Sequence, residues 1–273
     1  MRIIQPRKTW WNFQGPTPQF WGAALPDGDA VKQHTQRLLE SYITPYILSK
    51  VNKDHKVLDA GCGPMIWGPL IAERGASYYA LDFSFDLLKR GRGIYTILNS
   101  KPVLGNVKAL PYKSNSLDLY LSLGILEHFP EGMQIPLEEC TRVLKHGGVA
   151  IISVPYLNWI RLILLPFSVL KRKLIRSDLL RRLLGKNPAP VEEFYQYAYS
   201  LYELKKWVSS VGLFVVENQP FMWEYGLTRD YRSFRKLKKK YYHLFNGLIN
   251  LSRKISSYLC AHMILIIVVK GCE

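Results

Sequence analysis

Residues 57–65 read Val-Leu-Asp-Ala-Gly-Cys-Gly-Pro-Met, an apolar stretch that ends in Asp59 and runs on to Gly61 and Gly63. This order predicts a strand, a tight turn around Cys62, and a helix start. Glycine lets backbone approach a ligand where a Cβ would clash, and a helix start presents unpaired N–H groups. Nineteen residues beyond Gly63, a second apolar stretch ends in Leu81-Asp82-Phe83. A carboxylate at that distance from a glycine-rich turn is placed to accept the two ribose hydroxyls of a nucleoside cofactor. Further on, Glu127 and His128 supply a carboxylate and an imidazole, the side chains of general acid–base chemistry.

The turn discriminates between nucleoside cofactors. A dinucleotide fingerprint, G-x-G-x-x-G, needs a third glycine where this chain has Ile66, and the next glycine is Gly68. Residues 60–70 contain no basic or hydroxyl side chain to help hold a pyrophosphate, while Asp59 adds negative charge beside the turn. That combination suits a ligand carrying an ammonium and a sulfonium rather than a phosphate.

On these residues the chain resembles the class I S-adenosylmethionine-dependent methyltransferases of the small-molecule and lipid type. The resemblance rests on Val57–Gly63, Leu81–Ser84, Gly105–Pro111, Ser116–Phe129 and Glu138–Pro155, in that order over about 100 residues. It implies S-adenosylmethionine as cofactor. The methionine part would lie on the backbone around Asp59, Gly61, Cys62 and Gly63, the ribose on Asp82, and the adenine against Phe83. Asn106 and Val107 stand where the family has an acid and a small or apolar residue at the adenine, so Asn106 is a departure. Its amide can both accept and donate, and a turn-capping role is the alternative. Leu123 ends the fourth strand, and Leu126-Glu127-His128-Phe129 matches a family hallmark that follows it. His128 and Glu127 are the candidate catalytic residues; for His128 the alternative is a structural histidine bonded to backbone.

The elements that must position these residues alternate. Strands are expected at about 56–60, 77–82, 101–104, 117–123 and 149–154, and helices after the turn to about Arg74, over 84–92 with Ser84 as cap, and over 131–145 with Gly147-Gly148 as stop. A helix over 200–211, a strand over 213–219 and a last strand over 262–269 follow. Such alternation implies right-handed crossovers in a mainly parallel sheet, with the ligand beyond the carboxyl ends of the strands. The expected fold is α/β: a Rossmann-like, seven-stranded, mostly parallel sheet with helices on both faces. By the resemblance, an antiparallel last strand enters beside the fifth. Residues 1–52 are read as an N-terminal arm and helical cap, rich in aromatics such as Trp10 and Trp21. Its helical spacing over 29–50 is open to a kink at Pro45. Residues 53–273 form the methyltransferase domain, with insertions at about 156–190 and 221–260.

Composition narrows the partners. The four cysteines, at 62, 140, 260 and 272, have no C-x-x-C spacing, so neither a disulfide framework nor a zinc site is expected, and no metal is assigned. No secretory signal pattern opens the chain and no apolar stretch reaches bilayer-spanning length, so a cytoplasmic protein is expected. The net charge is +16, of which residues 156–186 carry +7 (eight Lys/Arg, one acid) and residues 229–240 carry +6 (seven Lys/Arg, one acid). Leu170, Leu174, Leu180, Leu183 and Leu184 share a helical face interrupted by basic residues, a pattern of membrane-surface helices. The alternative is a lid packed on its own core with a solvated basic face. Tyr195, Tyr197 and Tyr199 are candidates for the acceptor pocket or for packing. The expected reaction is methyl transfer to a small, lipophilic or lipid-linked acceptor, oxygen being the favoured acceptor atom. An RNA methyltransferase using the basic insertions, and a non-catalytic cofactor-binding scaffold, are the alternatives. The Asn/Asp-Pro-Pro-aromatic motif of base-amine enzymes is absent, which argues against nucleic acid.

Overall fold

The computed structural model describes residues 3–4, 41, 43–95, 100–185, 187, 194, 196–223 and 232–271. In these, the strands are β1 (Ile3–Ile4), β2 (Lys56–Ala60), β3 (Ser77–Asp82), β4 (Ser100–Leu104), β5 (Leu117–Leu123), β6 (Leu144–Pro155), β7 (Tyr197–Ala198), β8 (Leu213–Phe221) and β9 (Met263–Lys270). The helices are α1 (Thr44–Leu48), α2 (Gly68–Glu73), α3 (Phe85–Ile94), α4 (Gln134–Val143), α5 (Trp159–Arg176), α6 (Asp178–Leu183), α7 (Leu201–Ser209), α8 (Arg232–Lys240) and α9 (Tyr242–Ile255), with a 3₁₀ turn at Leu126–His128.

Seven strands form one sheet in the order β4-β3-β2-β5-β6-β9-β8. Pairing is parallel from β4 through β6, and β9 runs antiparallel between β6 and β8. The expected antiparallel last strand beside the fifth is therefore found. Its apolar run explains the slot: Ile264 to Val268 are fully buried, as a central strand covered on both faces requires. The order reverses at β2 and β5, which places the switch point, and the cleft of such sheets, at the carboxyl ends of these two strands. The core lies on the two faces of the sheet. One face carries Leu58, Tyr120, Leu137, Val143 and Ile266; the other carries Val57, Ile71, Tyr78, Leu119 and Ile267.

Side-chain caps mark two helix starts. Ser84 caps α3, its hydroxyl accepting from the Leu87 N–H at 3.4 Å. Ser200 and Glu203 form a capping box at the start of α7. Two expectations need correction. The helix after the glycine turn starts only at Gly68, because Pro64 and left-handed Met65 (φ 61°) keep residues 63–67 in turns. The helix expected over 131–145 ends at Val143, and Gly147-Gly148 lie inside β6 rather than stopping a helix. There β5 advances from Leu117 to Leu119 while β6 advances from Leu144 to Val149, so a bulge with left-handed Gly147 (φ 71°) absorbs the surplus.

Most of the arm and cap over 1–52 lies outside the described residues, including Trp10 and Trp21. In the described part Ile3-Ile4 pairs with Ala198-Tyr197, and α1 has Pro45 in its first turn, where a missing N–H costs nothing. The expected insertions contain α5 and α6, then α8 and α9; the sequence reading missed the helix over 242–255. Among the described residues no helix is long and apolar enough to cross a membrane.

Candidate active site at the carboxyl edge of the sheet

Asp82 ends β3, and both of its carboxylate oxygens are held by backbone. Oδ2 accepts from the Gly63 N–H at 2.8 Å and Oδ1 from the Ser84 N–H at 2.8 Å. The Phe83 N–H also acts on this carboxylate, so only part of its acceptor capacity is left for a ligand hydroxyl. Burial raises the carboxyl above its usual range, and these N–H groups pull it back. Phe83 follows directly and leaves its ring 37 % exposed. The turn turns its other N–H groups the same way, for Gly61 and Cys62 both donate to the Leu81 carbonyl, at 2.7 and 3.0 Å. An anion cradle needs those donors pointed outward, so this turn is not built for a pyrophosphate. The carboxylates around it, Asp59 and Asp82, give the region negative charge, which fits a cation.

Gly61 and Gly63 both take left-handed φ, 81° and 53°. At Gly61 an added Cβ would stand 2.4 Å from Ile125 Cδ1, so glycine is required for packing as well as conformation. At Gly63 an added Cβ would meet nothing within 4 Å, so the turn opens onto free space there. Cys62 is buried, its thiol pushed well above the ordinary range by desolvation, as suits a filler rather than a nucleophile.

Asp59 lies beneath the turn. It is 2 % exposed and accepts from the Tyr78 hydroxyl at 2.7 Å. Desolvation pushes its pKa up to about 7, against the lowering hydrogen bond from Tyr78 and with a further rise from nearby Asp82. Sequence reasoning missed Tyr78. The signal was present: β2 and β3 pair with Asp59 opposite Ala80, so Tyr78, two residues back, shares the face of Asp59.

Asn106 is exposed, and its side-chain oxygen accepts from the Lys108 N–H at 3.0 Å. This is the turn-capping geometry weighed as its alternative role, while Val107 is buried in the core behind it. The loop is clamped from outside. Lys108 pairs with Glu131 and lies 4.9 Å from the Phe129 ring centroid. Arg142 binds Glu139 and donates to the carbonyls of Tyr112 (2.7 Å) and Leu110 (2.9 Å), while Glu139 accepts from the Leu110 N–H. This clamp also escaped the sequence reading.

Leu123, at the end of β5, is half-buried, and Gly124 (φ 79°) turns the chain into the 3₁₀ segment. Glu127 is 3 % exposed, with Oε1 3.9 Å from His128 Nε2, beyond hydrogen-bonding distance. His128 is mostly covered as well. Tyr197 donates to the Pro130 carbonyl at 2.8 Å and packs edge-on against buried Tyr199, rings 5.9 Å apart. These tyrosines fix the segment after the 3₁₀ turn; Tyr195 lies outside the described residues. Among the described residues no three His, Cys, Asp or Glu side chains gather as a metal site.

The family model described as a methyltransferase domain matches residues 58–152, the span that builds this edge. Residues 58–152, about a third of the chain, are similar to a methyltransferase domain. The curated relatives it matches include demethylmenaquinone methyltransferases. One from Listeria monocytogenes is 39 % identical over 108 residues, 37 % of this chain and 45 % of the relative. The one from Geobacillus stearothermophilus is 37 % identical over 111 residues, again 37 % and 45 %. The chain thus spans under half the length of these relatives. A SAM-dependent methyltransferase from Methanosarcina mazei shares the fold, with TM-score 0.56 at 16 % identity over 84 % of this chain and 98 % of that one. S-adenosylmethionine is the cofactor of this methyltransferase class. The residues present fit it: Asp82 for the ribose, a partly exposed Phe83 beside it, and buried carboxylates around the turn that suit a cation.

Proposed function

We propose that this chain moves a methyl group from S-adenosylmethionine to a lipophilic, lipid-linked small molecule, with a reduced, hydroxyl-bearing (hydroquinone-type) ring as the acceptor class. The observation that carries the cofactor half is Asp82, a carboxylate at the end of β3 whose two oxygens are aimed by the Gly63 and Ser84 N–H groups. The acceptor class is supported by the methyltransferase-domain match and by relatives named for demethylmenaquinone.

The bound cofactor supplies an electrophilic methyl on a sulfonium. The chain's own residues then have three tasks: hold the nucleoside, align the acceptor, and keep water out. Asp82, Phe83 and the 106–107 loop do the first. Asp59, beneath the turn, supplies the negative field for the cationic end. His128 and Glu127, at the end of β5, would accept the proton of an acceptor hydroxyl as its oxygen bonds the methyl carbon and the S–CH3 bond breaks, leaving a methyl ether and a neutral thioether. Oxygen remains the favoured acceptor atom.

The test supplies radiolabelled methyl donor with cell extract and separates organic, aqueous and RNA fractions. Label in the organic fraction is expected. Label in RNA would replace this acceptor with the RNA reading, and cofactor binding without any transfer would leave a scaffold. Calorimetry on Asp82→Ala is expected to show cofactor affinity weakened by about 1–3 kcal/mol, the loss of a charged hydrogen-bond partner. Unchanged affinity would remove Asp82 from the ribose role.

A further inference from the structure

The two insertions meet. Ile160 of α5, Phe234 and Leu237 of α8, and Trp223 pack on Phe245, Ile249 and Cys260, a small core of their own. The start of α5 is fixed deeper still: buried Arg161 donates to the Tyr156 carbonyl and lies 2.6 Å from His262 Nδ1, and Asn158 donates to the Ala261 carbonyl at 2.7 Å. These contacts settle which side of α5 faces the protein. The opposite side carries Trp159, Leu162, Ile163, Phe167 and Leu170, from 36 % to 69 % exposed. Their spacing of three and four residues makes one helical stripe. The neighbouring α9 repeats the arrangement. Phe245 and Ile249 face inward, while Leu244, Leu248, Leu251 and Ile255 form an outward stripe, 51–71 % exposed.

Large aliphatic and aromatic side chains in continuous stripes are not left to water without a partner. The charge around them selects that partner. Residues 231–260 hold eight Lys/Arg and no Asp or Glu. On α8, Arg235, Lys236, Lys239 and Lys240 are exposed, and Lys240 lies 5.1 Å from the ring centroid of exposed Tyr241. A second copy of this chain would bring the same positive charge against itself, which disfavours pairing. An anionic bilayer satisfies both features, since acyl chains take the stripes and headgroups take the cations. Exposed Trp159, Tyr241 and Tyr242 have the amphipathic rings that settle at headgroup depth.

We propose that the outward stripes of α5 and α9, rimmed by the basic face of α8, dock this chain on an anionic lipid surface. The helices lie on the bilayer without crossing it. Because α5 follows β6 within four residues, docking brings the carboxyl edge of the sheet to the membrane, where a lipid-linked acceptor resides. The docking itself does not depend on the methyl-transfer reading: a chain that sediments with vesicles yet methylates nothing keeps this proposal and loses the other.

The test is co-sedimentation of the full chain with phosphatidylcholine vesicles, with and without about one-third phosphatidylglycerol. Binding to the anionic vesicles is expected to exceed binding to neutral ones by about ten-fold or more and to weaken with added salt. The pairs Ile163→Asp with Phe167→Asp, and Leu248→Asp with Ile255→Asp, are each expected to cut binding about ten-fold or more while the melting curve stays cooperative. If a pair fails to fold, the lipid and salt dependence of the unaltered chain decides. No binding to anionic vesicles overturns the proposal, as does full binding by both folded variant pairs. Self-association that the same variants abolish, in a chain that ignores vesicles, would assign the surface to a second copy. Salt-sensitive RNA binding by a chain that ignores vesicles would assign the cations to nucleic acid.

Discussion

Asp59 is the residue whose placement departs furthest from its reading as a ligand-facing acid. It was legible as the end of a strand, because an acid after Val-Leu marks where the run stops being core. Its burial was not legible, since that depends on Tyr78 reaching across from the next strand at 2.7 Å. The consequence is a pH dependence. The carboxyl has a pKa of about 7 in the folded chain against 3.8 ordinarily, so the folded state binds this proton more tightly than the unfolded state. Stability from this group is therefore highest below about pH 4 and falls as pH rises through the window up to about 7. Above that it is constant, at a cost on the order of 4 kcal/mol. Asp82, also raised by burial, adds a slope of the same sign. Urea unfolding of Asp59→Asn is expected to show greater stability than the unaltered chain above pH 7, the gap closing toward pH 4. An equal gap at every pH would mean that Asp59 is ionised throughout. A ligand that places a cation near Asp59 favours the ionised form, so cofactor binding near neutral pH should release protons. Gly61 illustrates the same limit on reading: the turn was visible in the sequence, but the contact with Ile125 that forbids a Cβ joins residues 64 positions apart.

At the scale of elements, what repeats along the chain could be read and what closes across it could not. β2, β3, β5 and β9 fell where apolar runs meet acids or glycines, because burial on both faces writes itself as a continuous run. The end of α4 was misread, since Gly147-Gly148 suits a helix stop and a bulge equally, and only pairing with Leu117 and Leu119 decides between them. The clamp of Glu139 and Arg142 on the 110–112 loop was invisible for another reason: two charges three apart on a helix read as a solvated pair. The structure gives Arg142 a second task, donating to the carbonyls of Leu110 and Tyr112. Arg142→Met is expected to cost about 1 kcal/mol of stability, modest because the side chain is partly solvated. It should also weaken cofactor binding a few-fold as the loop carrying Asn106 and Val107 loosens. Arg142→Lys keeps the charge but not the planar fork, so it should recover only part of either loss. A methionine variant with unchanged thermal melting and unchanged cofactor affinity would show the loop to be held by its own turns.

For the whole molecule, the sheet and the cover over it are built to different standards. β9 follows β8 in sequence but lies between β6 and β8, so the sheet cannot close before β9 is in place. Its residues Ile264 to Val268 are fully buried, and their amides pair within the centre of the sheet. The cover rests on a much smaller cluster around Phe245, Ile249 and Cys260, while Arg235, Lys236, Lys239 and Lys240 of α8 and much of α9 face outward. Opening is cheapest where few apolar contacts are lost. Hydrogen exchange is therefore expected to rank the amides of β9 among the slowest, at the limit set by global unfolding. Those of α8 and α9 should exchange at least about ten-fold faster, corresponding to about 1.4 kcal/mol less protection or more. Anionic vesicles should then slow exchange in α5 and α9 selectively, because a lipid surface covers the stripes that water reaches in the free chain. Equal protection of α9 and β9 without lipid would show that sheet and cover unfold as one unit, with the small cluster far stronger than its size suggests.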